Sequence, residues 1–146
     1  MSKTVYAPVR GTKLDITEVK DPVFAEKILG DGMAVIPEDD WICAPIAGRV
    51  KDIFPANHAF TMEDDEGNQF LVHIGLETVN LQGKYFRRLV KVGDLVEQGT
   101  PVIRADMKKI KKKGYDPVVI VVLAEGKISR KMQTGEGAQE KLFTVD

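Results

Sequence analysis

The sequence is poor in cysteine and histidine. Of its 146 residues, one is a cysteine and two are histidines. The single Cys43 excludes an intramolecular disulfide and a metal site built from several thiolates, so we expect a reducing, cytoplasmic compartment. Because the flanking Trp41–Ile42 and Ala44–Pro45 are largely apolar, we expect this thiol to be packed rather than reactive.

The chain also lacks an excess of charge of either sign and any long apolar run. It has 21 basic and 22 acidic residues, for a net charge of −1, which gives no overall electrostatic reason to bind nucleic acid or a membrane surface. No run approaches the length of a membrane span, and residues 1–10 lack a signal-peptide core. We therefore expect no nucleic-acid partner and no direct membrane insertion.

Short apolar runs bounded by turn residues are what the sequence does contain. The clearest runs are Gly32–Pro37, Gly48–Phe54, His58–Met62, Gln69–Gly75 and Pro117–Ala124. Their spacing predicts an all-β antiparallel sandwich or barrel, formed as one domain over residues 1–146. Short helical turns are expected near Asp21–Leu29 and Asp106–Lys113. The similarity of APVRGTK (7–13) to APIAGRV (44–50) hints at an internally duplicated β architecture.

The two histidines flank a strong turn signal. Asp64–Gly67 fits a type I turn, with Asp first and Gly last. In a hairpin symmetric about that turn, His58 would lie directly opposite His73, with Cβ atoms ~4.5–5.5 Å apart. A bulge at Gly67 would shift this register by one residue. We therefore expect the two imidazoles to be neighbours on one face of the sheet.

A pair of imidazoles can bind a metal or act on phosphorus. A stable zinc site needs three or four protein ligands, and here only a carboxylate or a partner protein could complete one on His58 and His73. A neutral imidazole attacks phosphorus near pH 7, and a second one can hydrogen-bond the phosphoryl oxygens. Since the chain has no Walker-type loop, other proteins would have to supply and receive the phosphoryl group.

The segment GNQFLVHIGLETV, residues 67–79, resembles the signature around the phosphorylated histidine of glucose-type IIA domains of the bacterial sugar phosphotransferase system. Nearly the whole chain follows that family. The further matching segments are APVRG (7–11), DPVFAEKILGDGMAVIP (21–37), APIAGRV (44–50), NHAF (57–60), KVGDLVEQG (91–99) and DPVVIVV (116–122).

The resemblance implies a β-sandwich of the duplicated hybrid motif type and a phosphotransferase component of sugar uptake. His73 would accept a phosphoryl group on Nε2 from the phosphocarrier protein HPr and pass it to a cysteine of a sugar-specific EIIB domain. His58 would stabilise the phosphate. The family works through a phosphohistidine intermediate and needs no cofactor. Some members also regulate transporters or kinases.

The resemblance also implies a partner-binding rim around the histidines. Its apolar members would be Val23, Phe24, Phe54, Leu71 and Val79. Core packing remains an equal alternative for Leu71 and Val79. Glu77 would meet basic partner residues or be a plain surface carboxylate, and Thr78 would orient a histidine nitrogen or simply belong to a strand. The chain departs from the family in having Ala56 where a threonine is common, and Lys84–Tyr85 where a glycine is common.

Three other functions have some basis in the sequence. RADMKK (104–109) superficially resembles a biotin- or lipoyl-carrier turn, with Lys108 as the modified residue. A zinc hydrolase on a related β fold would need more ligands than the chain offers. The run Lys108–Lys113 could attract nucleic acid, although a solvated helix face is the simpler interpretation.

Overall fold

A computed structural model of the protein describes residues 3–132 and 141–146. Short strands occupy most of this part of the chain. The strands are β1 Lys3–Tyr6, β2 Gly11–Asp15, β3 Asp31–Pro37, β4 Trp41–Cys43, β5 Gly48–Ile53, β6 Ala59–Glu63, β7 Gln69–Ile74, β8 Phe86–Arg88, β9 Leu95–Val96, β10 Pro101–Ala105, β11 Val119–Glu125, β12 Ile128–Lys131 and β13 Lys141–Val145. The helices are α1 Pro22–Ala25 and α2 Met107–Lys112, with 3₁₀ turns at Ile16–Glu18 and Thr78–Leu81.

In the part of the chain that the structure describes, all the strand pairs are antiparallel, and they form one large and two small sheets. The large sheet has the order β2-β3-β11-β7-β6-β5-β9, and the small ones have the orders β1-β13-β12 and β4-β10-β8. The prediction of an antiparallel all-β protein with short helices is therefore confirmed. Strand β7, which carries His73, lies inside the large sheet between β11 and β6, so its backbone is fixed on both sides.

The large sheet is buried on both faces. Alternate residues of β11 belong to different apolar clusters: Val119 and Val121 to a larger one, Ile120 and Val122 to a smaller one. On β7, Val72 is in the larger cluster while Leu71 packs against the smaller one. Because strand side chains alternate between faces, His73 shares the face of Leu71 and of the smaller cluster.

The two similar heptapeptides contact each other reciprocally. The Tyr6 amide donates to the Pro45 carbonyl at 2.9 Å, and the Cys43 amide donates to the Pro8 carbonyl at 2.7 Å. In each bond, the residue before one Ala-Pro step donates to the proline carbonyl of the other Ala-Pro step. This reciprocal pattern is the one expected of two repeats related by a local two-fold axis. The two similar segments of the sequence therefore exchange equivalent backbone hydrogen bonds in the structure.

Two expectations about local structure were wrong in part. The first helical segment is shorter than Asp21–Leu29, since α1 ends at Ala25 and turns continue to Gly30. The apolar stretch around Cys43 is not wholly buried: Trp41 is 44% exposed and the thiol is partly exposed. Among the described residues, no helix is long and apolar enough to cross a membrane.

Candidate functional site

Four rings lie in a row on the smaller-cluster face of the large sheet. The His58 and His73 ring centroids are 5.1 Å apart and nearly perpendicular. Phe24 contacts His73 with centroids 5.0 Å apart, and Phe54 contacts His58 at 5.6 Å. The structure thus brings together both predicted histidines and two of the predicted rim residues.

The hairpin that joins the histidines differs from the symmetric one expected from sequence. The Gly67 amide does donate to the Asp64 carbonyl, as in the expected turn, but Gly67 has a φ of 85° and the Asp64 amide donates to the Asn68 carbonyl. This left-handed glycine adds a residue to the turn. His73 therefore pairs with Ala59, and the prediction that it lies directly opposite His58 is wrong.

His58 reaches His73 from a loop that precedes β6. Asn57 has a left-handed φ of 60°, and its amide donates to the Phe54 carbonyl at 2.7 Å. Its side-chain oxygen accepts from Arg88 Nε at 2.9 Å and from Nη2 at 2.8 Å. The Ile74 amide donates to the His58 carbonyl at 2.8 Å. Because His58 lies before the strand, strand alternation does not dictate its face, and the loop places its ring against His73.

Helix α1 places Phe24 against His73. The Asp21 side chain accepts from the Val23 amide at 2.9 Å and caps the helix, and Pro22 occupies its first position. The buried Phe24 belongs to the smaller cluster. The Asp21 carboxylate also favours the protonated form of His73, as the smallest of the causes that act on the pKa of this residue. From the sequence, Asp21 was recognised only as the start of a helical segment, and its effect on His73 depends on tertiary structure.

Burial keeps both imidazoles neutral at pH 7. The pKa of His73 is lowered to about 4, chiefly by desolvation and also by the neighbouring His58, whereas the Gly75 backbone acts in the opposite direction. Desolvation also lowers the pKa of His58, which is 5% exposed. Within the described residues, the Nδ1 atom of each ring is buried and has no hydrogen-bond partner. Neither Nε2 atom is both buried and without a partner. Nδ1 is therefore the nitrogen of each ring that solvent and a partner do not reach.

The low pKa of His73 predicts a pH-dependent stability. In the unfolded chain a histidine protonates below about 6.5, whereas folded His73 stays neutral down to about 4. The free energy of unfolding should therefore fall as the pH drops from 6.5 to 4, by up to about 3 kcal/mol. Urea unfolding of wild type and His73→Gln across this range measures the effect. Equal slopes for the two proteins would contradict it.

A tight turn follows His73 and holds the end of β7. Gly75 has a φ of 77°, its amide donates to the Val118 carbonyl at 2.7 Å, and the buried Thr78 hydroxyl donates to the Ile74 carbonyl. Thr78 therefore stabilises the turn and contacts neither histidine nitrogen by a hydrogen bond. Thr78 begins the 3₁₀ turn Thr78–Leu81, so the expectation that it would simply belong to a strand is wrong.

Substitution of Gly75 by alanine should loosen this turn. An alanine Cβ would lie 2.5 Å from Thr78 Cγ2, in addition to the cost of the left-handed backbone. We expect Gly75→Ala to lower the unfolding free energy by about 2–4 kcal/mol. Gly67→Ala is the matched control, because Gly67 is also left-handed but a Cβ there meets nothing within 4 Å. Equal losses in urea unfolding would show that the contact with Thr78 is unimportant.

The other predicted rim residues differ in how far they are buried. Val23 is 40% exposed and Val79 is 51% exposed, so their side chains are not core residues. Leu71 is partly buried against the smaller cluster. Glu77 is exposed and has a left-handed φ of 59°. Sequence reasoning missed Ile28, which is 66% exposed and donates its amide to the Val23 carbonyl, so apolar surface extends beyond α1.

The alternative functions find little support in the geometry. Within residues 3–132 and 141–146, no group of three or more His, Cys, Asp or Glu side chains could hold a metal ion. Lys108 lies in helix α2, whereas the carrier reading placed it in an exposed hairpin turn.

No hydroxyl stands at Ala56, and His58 Nδ1 correspondingly lacks a partner among the described residues.

Comparison with known proteins gives consistent matches along the chain. Residues 3–128 match the family model described as phosphoenolpyruvate-dependent sugar phosphotransferase system, EIIA 1. The glucose-specific EIIA component of Halalkalibacterium halodurans is 43% identical over 119 residues, which are 82% of this chain and 69% of that protein. The glucose-specific EIICBA component of Staphylococcus carnosus is 42% identical over 144 residues, 97% of this chain.

The solved structure of glucose permease IIA from Mycoplasma capricolum has the same fold. The TM-score is 0.90 at 32% sequence identity, over 99% of this chain and 96% of that one. The relatives differ in length, since the match covers only 21% of the fused Staphylococcus carnosus protein. The chain thus spans about a fifth of that relative.

Proposed function

The chain belongs to the EIIA type 1 family of the phosphoenolpyruvate-dependent sugar phosphotransferase system, and from that premise we propose that His73 is its phosphoryl carrier. The donor is phosphorylated HPr and the acceptor is a cysteine of an EIIB domain that serves sugar uptake. A fused relative named EIICBA supports the pairing with EIIB and EIIC. On this proposal, residues 1–146 act as one domain in the cytoplasm, where both partners present their reactive groups.

The observation that carries the proposal is the neutral imidazole pair, with 5.1 Å between the ring centroids and with Nδ1 buried on each ring, which leaves Nε2 as the nitrogen for transfer. A protonated imidazole has no free lone pair and cannot attack phosphorus. Because the pKa of His73 is lowered to about 4, its nucleophilic form is fully populated at pH 7. A strand hydrogen-bonded on both sides holds the ring in place, which reduces the entropy lost on reaching the reactive geometry.

The transfer can be written with atoms and charges balanced. The lone pair of His73 Nε2 forms a bond to phosphorus as the bond between phosphorus and the donor's histidine nitrogen breaks, and that nitrogen keeps the electron pair. The His73 proton remains on Nδ1, near the Gly75 backbone that favours the protonated form. His58 donates a hydrogen bond from Nε2 to a phosphoryl oxygen. In the next step the thiolate of the EIIB cysteine displaces His73 from phosphorus.

The apolar surroundings suit a reaction between two proteins. Phe24 and Phe54 flank the histidines, and Val23, next to Phe24 in α1, and Val79, in the 3₁₀ turn after β7, are exposed. Such a surface excludes water when a partner docks, which limits hydrolysis of the phosphohistidine and strengthens the hydrogen bonds to phosphate. HPr and EIIB would use this face in turn, as would any transporter or kinase that the domain regulates.

Phosphorylation by purified components tests the proposal. We expect incubation with phosphoenolpyruvate, enzyme I and HPr to add the mass of one phosphoryl group, in a linkage labile to acid and stable to base. Omission of HPr is the control and should prevent labelling. Absence of labelling with a matched HPr, under conditions that phosphorylate a known EIIA, would refute the proposed function.

A further inference from the structure

A concave surface beside helix α2 has a strongly basic lining. It encloses about 330 Å³ and is lined by Tyr85, Lys109, Lys112 and Lys113. The Nζ atom of Lys84 lies 5.4 Å from the Tyr85 ring centroid, and that of Lys109 lies 5.9 Å from it. The aromatic ring therefore attracts two ammonium groups by cation–π interaction, at the edge of a pocket lined by two more lysines.

The fold itself turns these lysines outward. Met107 and Ile110 are the buried residues of the six-residue helix and anchor it to the larger core cluster. The lysines of the helix and Lys113 are consequently exposed. Lys109 is spaced three and four residues from Lys112 and Lys113, a separation at which like charges repel on a helix. An anion bound between them would remove this repulsion.

Little in the described part of the chain neutralises the pocket. Asp106 is the carboxylate nearest to these lysines, with Oδ2 3.9 Å from Lys109 Nζ, and its Oδ1 accepts the Lys109 amide as the helix cap. In residues 3–132 and 141–146, neither Lys112 nor Lys113 forms an ion pair. The pocket thus gathers positive charge in a protein whose net charge is −1.

Tyr85 sits in the pocket with a strained backbone. Its φ of 75° is unusual for a bulky side chain, and its carbonyl accepts the Asp106 amide at 2.9 Å. The tyrosine is therefore tied to the start of α2 in an unfavourable conformation. Backbone strain of this kind concentrates at ligand sites, where the surrounding structure maintains it.

We propose that this pocket binds a phosphate ester or diphosphate group, with Lys109, Lys112 and Lys113 as its counter-charges. Ammonium groups on flexible stems suit an anion with two or more charges. The Tyr85 ring offers a stacking surface and its hydroxyl a donor. The volume is at the small end of the range for ligand pockets, about 300–1,000 Å³. The group can belong to a free phosphorylated metabolite or to a lipid headgroup, and the inference does not depend on the role of His73.

Binding of pyrophosphate tests this site directly. In a titration followed by ¹⁵N NMR at low salt, we expect amide shifts confined to Tyr85 and residues 107–113. The triple variant Lys109→Gln/Lys112→Gln/Lys113→Gln should bind pyrophosphate at least about tenfold more weakly. The matched control, Lys20→Gln/Lys51→Gln/Lys91→Gln, removes the same charge from other exposed positions and should stay within about twofold of wild type. His73→Gln should bind like wild type, which separates this site from the proposed function.

A second arm distinguishes the source of the phosphate. Cosedimentation with phosphatidylglycerol vesicles that depends on the same three lysines, without pyrophosphate binding, would support the site and assign it to a lipid headgroup. Equal losses in the two triple variants would overturn the proposal, since net charge alone would then explain binding. Binding of an oligonucleotide without binding of pyrophosphate or vesicles would also overturn the proposal. So would the absence of any amide shift at the pocket with pyrophosphate and with phosphatidylglycerol vesicles.

Discussion

His73→Gln should accept no phosphoryl group from phosphorylated HPr. Glutamine fills a similar volume but offers no imidazole lone pair, so no bond to phosphorus can form. The remaining His58 reaches the site from a loop and lies beside Phe54, where it is placed to contact the phosphate rather than to attack it. We expect labelling to fall below detection, at least about 10³-fold below wild type. Quantitative mass spectrometry of the intact protein measures the phosphorylated fraction.

The control for this result is a folded variant. At pH 7 His73→Gln should unfold in urea close to wild type, because glutamine fills a similar volume and neutral His73 makes no charge interaction there. Loss of labelling would then reflect lost chemistry. Substantial labelling of folded His73→Gln would contradict the assignment and move the carrier role to His58.

His58→Gln should accept the phosphoryl group but transfer it poorly. The ring of His58 lies perpendicular to that of His73 at 5.1 Å, close enough for its Nε2 to donate to a phosphoryl oxygen on His73. This donor would matter most in the transition state of transfer to the EIIB thiolate, where charge on phosphorus oxygens is redistributed. We expect the transfer rate to fall by about 10²–10⁴-fold, with the extent of phosphorylation by HPr unchanged.

Rapid-quench transfer from the purified phosphoprotein to an EIIB domain measures this step. Phe54→Leu is a useful companion variant, because it keeps an apolar neighbour for His58 while retaining both imidazoles, and it should transfer at a rate close to wild type. If His58→Gln transferred as fast as wild type, His58 would be a packing residue and the assisting role would be wrong.

The sequence predicted that the two histidines are neighbours, but it did not predict the hairpin register and the loop that bring them together. The turn signal and the two strands around it predicted neighbouring imidazoles, because local propensities favour the hairpin. The left-handed Gly67 changed the register and paired His73 with Ala59. The two imidazoles are nevertheless neighbours, because His58 lies in a loop that is constrained by the contact between Asn57 and Arg88. Long-range constraints of this kind have no local sequence signature.

Contacts between distant segments were the least predictable part of the site. Phe24 and His73 are far apart in sequence, and their ring contact depends on how the capped helix α1 packs on the large sheet. The basic pocket likewise joins Tyr85, in the segment after the 3₁₀ turn, to helix α2. The lysine run was visible in the sequence, but the position of Tyr85 beside it depends on tertiary structure.

The position of the phosphoryl group on the protein tests the central claim most directly. Two-dimensional ¹⁵N–³¹P correlation NMR of the phosphorylated protein, with histidine labelled at both ring nitrogens, identifies the bonded atom. The buried Nδ1 atoms predict one phosphorus coupling, to Nε2 of His73, and none to His58. A coupling to Nδ1 of His73, or to either nitrogen of His58, would contradict the account.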